Sequence, residues 1–170
     1  MIKPIVIAEV GVNHNGKLHL AKKLISIASK AGADYVKFQT YKTENLVSKN
    51  SSSAEYQKKN LKGKISQFKM LKKYELSRLD HEKLIYQCKK KSIRFISSPF
   101  DIESIDLLIS LKIDIIKVPS GEINNVPYLQ HLGKFKKKII LSTGMSKLKE
   151  IKNTFKFIDF IYFANLFRSG

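Results

Sequence analysis

Residues 93–144 read IRFISSPFDIESIDLLISLKIDIIKVPSGEINNVPYLQHLGKFKKKIILSTG and contain three short apolar runs separated by two stretches with helical spacing. Each run is continuous and rich in isoleucine, which is typical of a strand buried on both faces. The three predicted strands are Ile93–Ser97, Asp114–Val118 and Lys138–Ser142. The helices between them are predicted across Ile105–Ile109 and Tyr128–Leu132. Strands and helices that alternate at this interval indicate a parallel α/β fold.

The same alternation extends toward both ends of the chain. The N-terminal side adds the predicted strands Pro4–Val10 and Asp34–Thr40, joined by a helix that Gly32 ends. The C-terminal side adds a helix at Lys147–Phe157, and a sixth strand could start at Phe160–Phe163. The whole chain is therefore read as a single unit of alternating strands and helices.

A long polar connection interrupts the alternation after the second strand. It runs from Tyr41 to about Gln67 and is rich in serine, lysine and asparagine, with a short helix expected near its end. The next helix is expected to begin at Ser77, which has Asp80 three residues on, as in a capping box. Cys88 lies on the apolar stripe of that helix and is expected in the core.

Polar residues collect where the predicted strands end. In a closed (β/α)8 barrel that rim carries the chemistry, whereas an open doubly wound sheet has its site at a switch point. Five successive strands each offer polar groups here, which favours the barrel. A barrel usually needs about 250 residues, so 170 residues predict an incomplete TIM barrel of about five to six of the eight units. These polar groups are Glu9 and Asn13–Asn15, Lys37 and Gln39, Ser97–Phe100, Lys117 and Ser120–Glu122, and Ser142–Gly144.

Charge and composition limit the possible partners and location. The 32 Lys+Arg minus 14 Asp+Glu residues give a net charge of +18, but only Arg78, Arg94 and Arg168 are arginine. Base recognition favours arginine, so nucleic acid is disfavoured as a partner. The lysines are interpreted as a solvated surface, and the alternative is a non-catalytic basic fragment that binds polyanions. No apolar run approaches the roughly 18 residues of a membrane span, and no signal peptide opens the chain. The chain is therefore expected to be cytoplasmic.

Two lysines inside strands predict an anion site. Lys37 and Lys117 each stand between apolar neighbours, and a buried lysine needs an anion or a carboxylate. One interpretation is a structural ion pair with Glu9 or Glu122. The other is a pocket for the phosphate or carboxylate of a small metabolite, in which Ser98, Ser120 and Ser142 add hydroxyl donors. No nucleotide-binding glycine fingerprint is present.

Carboxylates and histidines give weaker signals. Glu9 and Glu122 should share the rim, either as structural ion-pair partners or as groups that orient substrate hydroxyls and move protons. His14 lies in a turn after the first strand, and a structural role is the more common one for a lone histidine. The other three histidines fall on predicted helices and are interpreted as surface residues, and none of the four has metal-ligand spacing; they are His19, His81 and His131.

Several strings taken together resemble the sialic acid synthase family, as found in bacterial N-acetylneuraminate and N,N'-diacetyllegionaminate synthases. The likeness runs from about Pro4 to Glu150, and the order and spacing of the motifs are those of the N-terminal part of the family's catalytic barrel. The strings are IAEVGVNHNG (Ile7–Gly16), KFQTYK (Lys37–Lys42), AEYQKKN (Ala54–Asn60), SQFKMLKKYELS (Ser66–Ser77), FISSPFD (Phe95–Asp101), KVPSGEINN (Lys117–Asn125) and LSTGMS (Leu141–Ser146).

The resemblance implies a phosphoenolpyruvate-dependent condensation with an N-acyl hexosamine such as N-acetylmannosamine, giving a nine-carbon 2-keto-3-deoxy sugar acid and phosphate. By match to the family's motifs, Glu9 and Glu122 are the expected catalytic carboxylates. Supporting positions are Gln39, Asn13 and Phe100. The residues expected to hold phosphoenolpyruvate are Lys37, Ser98, Lys117, Ser120 and Ser142.

The resemblance also implies parts that this sequence lacks. The family uses a divalent metal, Mn²⁺ or Mg²⁺, on two histidines that lie on later strands, and these histidines are absent, so no metal ligand is expected in this chain. Members of the family form a homodimer and carry a C-terminal antifreeze-like domain, and these 170 residues are not expected to include that domain. The residues Met1–Gly170 are therefore expected to form most of the phosphoenolpyruvate pocket and to be inactive alone.

Overall fold

A computed structural model describes residues 4–47 and 66–158, which form one parallel sheet of five strands flanked by helices. The strands pair in the order β1-β2-β3-β4-β5, each with its neighbour along the chain. A doubly wound sheet would reverse direction at a switch point, and no reversal occurs among the described strands. The strand order confirms the predicted α/β fold with the winding of a barrel. The strands are β1 Ile7–Gly11, β2 Tyr35–Thr40, β3 Arg94–Pro99, β4 Ile115–Val118 and β5 Lys138–Leu141.

Helices connect these strands, as the alternating pattern predicts. Their bounds are α1 Leu18–Lys30, α2 Thr43–Leu46, α3 Gln67–Tyr74, α4 Arg78–Lys90, α5 Ile102–Ser110, α6 Val126–Gly133 and α7 Leu148–Phe157, with one 3-10 turn at Ser120–Glu122. The predicted polar connection thus contains α2 and leads into α3, while its middle part lies outside the described residues. The predicted sixth strand at Phe160–Phe163 also lies outside them. Among the described helices, none is long and apolar enough to cross a bilayer.

Side-chain caps fix where four of the described helices begin, α3, α4, α5 and α6. Ser77 accepts a hydrogen bond from the backbone N–H of Asp80, and the Asp80 carboxylate accepts one from the backbone of Ser77, so the predicted capping box is confirmed. Asp101 caps α5 by accepting from the N–H of Ser104, and Asn125 caps α6 in the same way. Such caps contribute about 1 kcal/mol each.

The two faces of the sheet have different chemistry because side chains alternate along each strand. Val36, Phe38, Ile116 and Val118 point to the helices and belong to the hydrophobic core, which also contains Cys88, as predicted. The residues between them point the other way. This opposite face, here called the inner face, carries Lys37, Gln39 and Lys117, and these side chains are only half-buried.

The strand register aligns the polar residues of the inner face. Glu9 of β1 pairs with Lys37 of β2, and Gln39 of β2 pairs with Ser98 of β3. Residues paired across parallel strands point to the same side. The fold therefore places these four side chains on one surface near the carboxyl ends of the strands.

Candidate functional site

Lys37 lies at the centre of a polar cluster on the inner face. Its Nζ is 2.6 Å from Oε2 of Glu9 and 3.5 Å from Oγ of Ser98, to which it donates. The Lys37 side chain is 14% exposed and that of Glu9 is 52% exposed. The ion pair is thus partly open to solvent on the carboxylate side, where an anionic ligand can compete with Glu9 for the ammonium group.

Lys117 is the second cation of the cluster. Its Nζ donates to the Oγ of Ser142, which follows β5. Burial lowers the pKa of Lys117 below its ordinary value, and the positive charge of Lys37 lowers it further, while Glu9 acts in the opposite direction. The two lysines lie on the strands on either side of β3, and their charges interact. Among the described residues, Glu9 is the one carboxylate that forms an ion pair with either of them, so the protonated pair is under-neutralised. An anion between them would relieve both the burial and the repulsion.

A bulge in β1 directs Glu9 toward this cluster. The strand register shifts between Glu9 and Gly11, and Gly11 adopts a positive φ of 53°. A Cβ at Gly11 would lie 3.0 Å from Oε1 of Glu9 and 3.8 Å from Nε2 of Gln39. Glycine at this position leaves room for the carboxylate and keeps Gln39 beside it.

Ser120, in the loop after β4, and Ser142, in the loop after β5, lie at the same end of the sheet. The backbone N–H of Ser142, just after β5, donates to the carbonyl of Val118 at the end of β4 at 3.0 Å. The loop after β5 is thereby anchored to β4. A Cβ at Gly144 would lie 3.7 Å from Oγ of Ser120, so the two loops run side by side. Both hydroxyls are therefore held at the carboxyl ends of neighbouring strands.

For three of the predicted site residues, the described part of the chain shows no hydrogen bond or ion pair to Lys37 or Lys117. Glu122 accepts a 2.7 Å hydrogen bond from Nδ2 of Asn125, and among the described residues no ion pair joins it to Lys37 or Lys117. Asn13 is exposed in the turn after β1. Phe100 packs edge-on against Tyr41 with ring centroids 6.5 Å apart. Their predicted roles stay predictions.

A buried histidine network beneath the rim escaped the sequence analysis. The interpretation of His81 as a surface residue is wrong, because its side chain is fully buried. The His81 ring is 2.9 Å from Oγ1 of Thr40 and 2.8 Å from the carbonyl of Ser77, and Thr40 is 2.6 Å from Oγ of Ser97. Burial lowers the pKa of His81. The missed signal was its place four residues after the cap and one turn before Leu84, on the apolar stripe of α4.

Two of the other three histidines, His14 and His131, are at least partly buried and contact neighbouring groups. His14 is buried, its Nδ1 accepts from the N–H of Gly16 at 3.1 Å, and burial lowers its pKa. His131 is half-buried and lies 2.7 Å from Oδ1 of Asp106, so it is not a free surface residue. His19 is exposed, as predicted.

The described residues do not by themselves form a metal site. Within residues 4–47 and 66–158, no three histidine, cysteine, aspartate or glutamate side chains gather closely enough to hold an ion. Glu9 and Glu122 are the carboxylates at the predicted rim, and Glu9 is already paired with Lys37. A metal-dependent step would need ligands from elsewhere.

Comparison with known proteins gives one consistent result. Over 152 residues the chain is 53% identical to the N,N'-diacetyllegionaminic acid synthase of Campylobacter jejuni, covering 89% of this chain and 46% of that protein. It is 52% identical to the enzyme of the same name from Legionella pneumophila, covering 86% of this chain and 41% of that protein. The chain therefore spans less than half the length of these relatives.

The fold comparison agrees. The crystal structure of N-acetylneuraminic acid (sialic acid) synthetase from Leptospira borgpetersenii superposes with a TM-score of 0.77 at 29% identity, covering 92% of this chain and 50% of that one. The model of the NeuB family matches residues 24–166. The predicted resemblance is thereby confirmed, and the chain belongs to the NeuB family.

Proposed function

We propose that this chain supplies the phosphoenolpyruvate-binding part of a synthase that condenses phosphoenolpyruvate with an N-acyl hexosamine. The product would be a nine-carbon 2-keto-3-deoxy sugar acid of the sialic or legionaminic type, together with phosphate. The observation that carries the proposal is the under-neutralised pair of Lys37 and Lys117, lined by serine hydroxyls, in a chain whose relatives are named sialic and legionaminic acid synthases.

The lysine pair suits a small, highly charged substrate. Phosphoenolpyruvate carries a phosphate and a carboxylate on one carbon, so two cations on neighbouring parts of a surface can each neutralise one group. Ser98 contacts Lys37 and Ser142 contacts Lys117, so each cation has a hydroxyl next to it that can also donate to a bound oxygen. When phosphoenolpyruvate binds, each lysine would form an ion pair with one of its anionic groups, and these two attractions would offset the repulsion between Lys37 and Lys117.

Glu9 and Glu122 would then have different tasks. In the proposed reaction C3 of the enol phosphate forms a bond to the aldehyde carbon of the open-chain sugar, whose oxygen takes up a proton. Water adds at C2, and phosphate leaves as the C2–O bond breaks. Glu9 would hold the Lys37 ammonium in position, because the two side chains are paired at 2.6 Å. Glu122 lies in the loop after β4 and would face the sugar, where it can hold or move a proton.

The activation of water is not assigned to this chain. A bound divalent metal would supply a more acidic water and polarise the substrate, but the described residues do not hold one on their own. We therefore propose that the isolated chain binds phosphoenolpyruvate and does not complete the condensation. The homodimer, the cytoplasmic location and the single-unit organisation stay predictions.

A chimaeric enzyme tests the proposal most clearly. Residues 4–155 of this chain would replace the matching N-terminal segment of the Campylobacter jejuni N,N'-diacetyllegionaminic acid synthase, and 2-keto-3-deoxy acid formation would be measured. We expect phosphoenolpyruvate-dependent product from the chimaera and none when it carries Lys117→Met. A control with Lys149→Met, an exposed helix lysine, should keep its activity. A folded chimaera without product, or product that survives Lys117→Met, would overturn the proposal.

A further inference from the structure

A second cleft lies at the end of the sheet opposite the rim. It has a volume of about 530 Å³ and opens between the end of α4, the segment that follows α5, and the amino ends of β3, β4 and β5. Volumes of roughly 300–1,000 Å³ are typical of small-molecule sites. Its lining combines cations with an apolar and aromatic wall; the cations are Lys89, Arg94, Lys112, Lys136, Lys137 and Lys138.

The cleft is strongly and asymmetrically charged. Against its six cations stands one lining carboxylate, Asp114. In the described part of the chain, no salt bridge neutralises Lys112, Lys137 or Lys138. A concave surface lined by one sign of charge between low-dielectric walls focuses the potential and raises the local concentration of counter-ions. The charge here predicts a multivalent anion.

Helix ends account for Lys89 and Lys112 but not for Lys137 and Lys138. Lys89 is in the last turn of α4, where the free carbonyls favour a cation in any protein. Lys112 ends α5 in the left-handed conformation, with a φ of 58°, and its N–H donates to the carbonyl of Ile109. Lys137 precedes β5 and Lys138 begins it, so neither lies in a helix.

The wall of the cleft can accept a ring. The Arg94 guanidinium stacks over the Tyr35 ring, with Cζ 3.9 Å from the ring centroid. Ile85 and Ile115, both half-buried, line the same cleft. A planar base or a sugar ring could pack against this apolar surface while phosphates reach the lysines.

The cleft is separate from the proposed catalytic site. Lys138 begins β5, and Ser142 comes directly after that strand. Four residues of strand span roughly 13 Å, and neither Lys37, Lys117 nor Ser142 lines the cleft. The inference is therefore independent of the proposed function.

We propose that this cleft binds an organic polyphosphate of nucleotide size. A nucleic acid is the less fitting ligand, because the cations gather in one concave cleft and only one of them is arginine. Several charge-assisted contacts with phosphate oxygens would supply the affinity. The ring would pack against the exposed Arg94 guanidinium and the half-buried isoleucines.

A nuclear magnetic resonance titration of the 170-residue chain with ATP tests this proposal. We expect amide shifts to concentrate in residues 112–115 and 136–138 at near-physiological salt. The double variant Lys137→Gln/Lys138→Gln should weaken binding by about fivefold or more, since charge-assisted contacts are lost. The matched control Lys23→Gln/Lys152→Gln removes the same charge from exposed positions on α1 and α7 and should change binding less than about twofold.

Three results would overturn the proposal. Equal weakening by the two double variants would mean that only net charge matters. Shifts confined to the surroundings of Lys37 and Lys117 would place ATP at the rim instead. Tighter binding of a short single-stranded oligonucleotide, with shifts spread over several helices, would indicate a nucleic-acid surface. Melting curves of all variants establish that each one is folded.

Discussion

Replacing Lys117 with methionine should separate ligand binding from stability. Methionine keeps most of the volume of the side chain and removes the charge. In the folded chain the Lys117 ammonium is disfavoured first by burial and then by Lys37, which is why its pKa is lowered. It also donates to Ser142, and that contact is lost in the variant.

The expected magnitudes follow from these contacts. Loss of a hydrogen bond from a charged group to phosphoenolpyruvate costs about 1.5–3 kcal/mol, which weakens binding roughly 10- to 150-fold. In the absence of ligand, the lost Ser142 contact costs about 1 kcal/mol, and removal of an under-neutralised buried charge offsets it. The melting temperature should therefore move by no more than about 4 °C, because 1 kcal/mol corresponds to roughly 2–4 °C in a domain of this size.

Two assays on the same samples distinguish a ligand-binding role of Lys117 from a structural one. Phosphoenolpyruvate affinity is measured by isothermal titration calorimetry, and stability by the melting temperature, with Lys149→Met as the control for a lost surface charge. A large fall in melting temperature with unchanged affinity would mean that Lys117 is a structural cation. That result would refute the reasoning that Lys37 and Lys117 form a binding site for an anion.

Two further predictions concern His81 and Gly16. Because burial lowers the pKa of His81, the unfolded state binds more protons below pH about 6.5. The free energy of unfolding, measured in urea, should fall as the pH drops below about 6.5. It should level off below the lowered pKa that His81 has in the folded state. His81→Asn should reduce this slope and cost about 1–3 kcal/mol at pH 7 through the lost Thr40 contact; an unchanged slope would exclude His81 as its source. Gly16→Ala should destabilise far more than Gly32→Ala, since both have positive φ but only the Gly16 Cβ would meet an atom, the Lys73 carbonyl oxygen at 2.0 Å. Equal unfolding free energies would contradict the packing of α3 on the β1–α1 turn.

The fold was predictable from the sequence because its signals are local. Continuous apolar runs predict buried strands, and Ser77 with Asp80 predicts a helix start from their spacing alone. Both are confirmed, with the strand bounds shifted by up to about three residues. The barrel winding was predictable for a different reason. Polar residues at the end of every strand favour a common rim, which a sheet with a switch point does not offer.

The site was predictable in part. Lys37 and Lys117 are conspicuous because a charge inside an apolar strand requires an explanation, and their common face follows from alternation and register. The position of Glu122 was harder to anticipate, since it depends on loop geometry and on the hydrogen bond from Asn125. Neither loop geometry nor a hydrogen bond between neighbouring side chains follows from a periodic pattern in the sequence.

His81 shows what sequence reasoning lacks. A histidine on an amphipathic helix is neutral or charged, buried or exposed, according to the partners that tertiary structure brings. Here the partner is Thr40, which is 41 residues away along the chain. A polar side chain can be fully buried when its ring atoms are paired, and no local signal reports such a pairing.

The central claim is that Lys37 and Lys117 together bind phosphoenolpyruvate, and lysine-resolved nuclear magnetic resonance tests it most directly. The chain would be labelled at the lysine ε-carbons and titrated with phosphoenolpyruvate, and the pKa of each ammonium would be followed. The account predicts that the lowered pKa of Lys117 rises when ligand binds and that the Lys37 resonance shifts at the same ligand concentration, while exposed lysines such as Lys149 do not respond. A uniform small shift of all lysines, or a Lys117 pKa unchanged at saturating phosphoenolpyruvate, would contradict it.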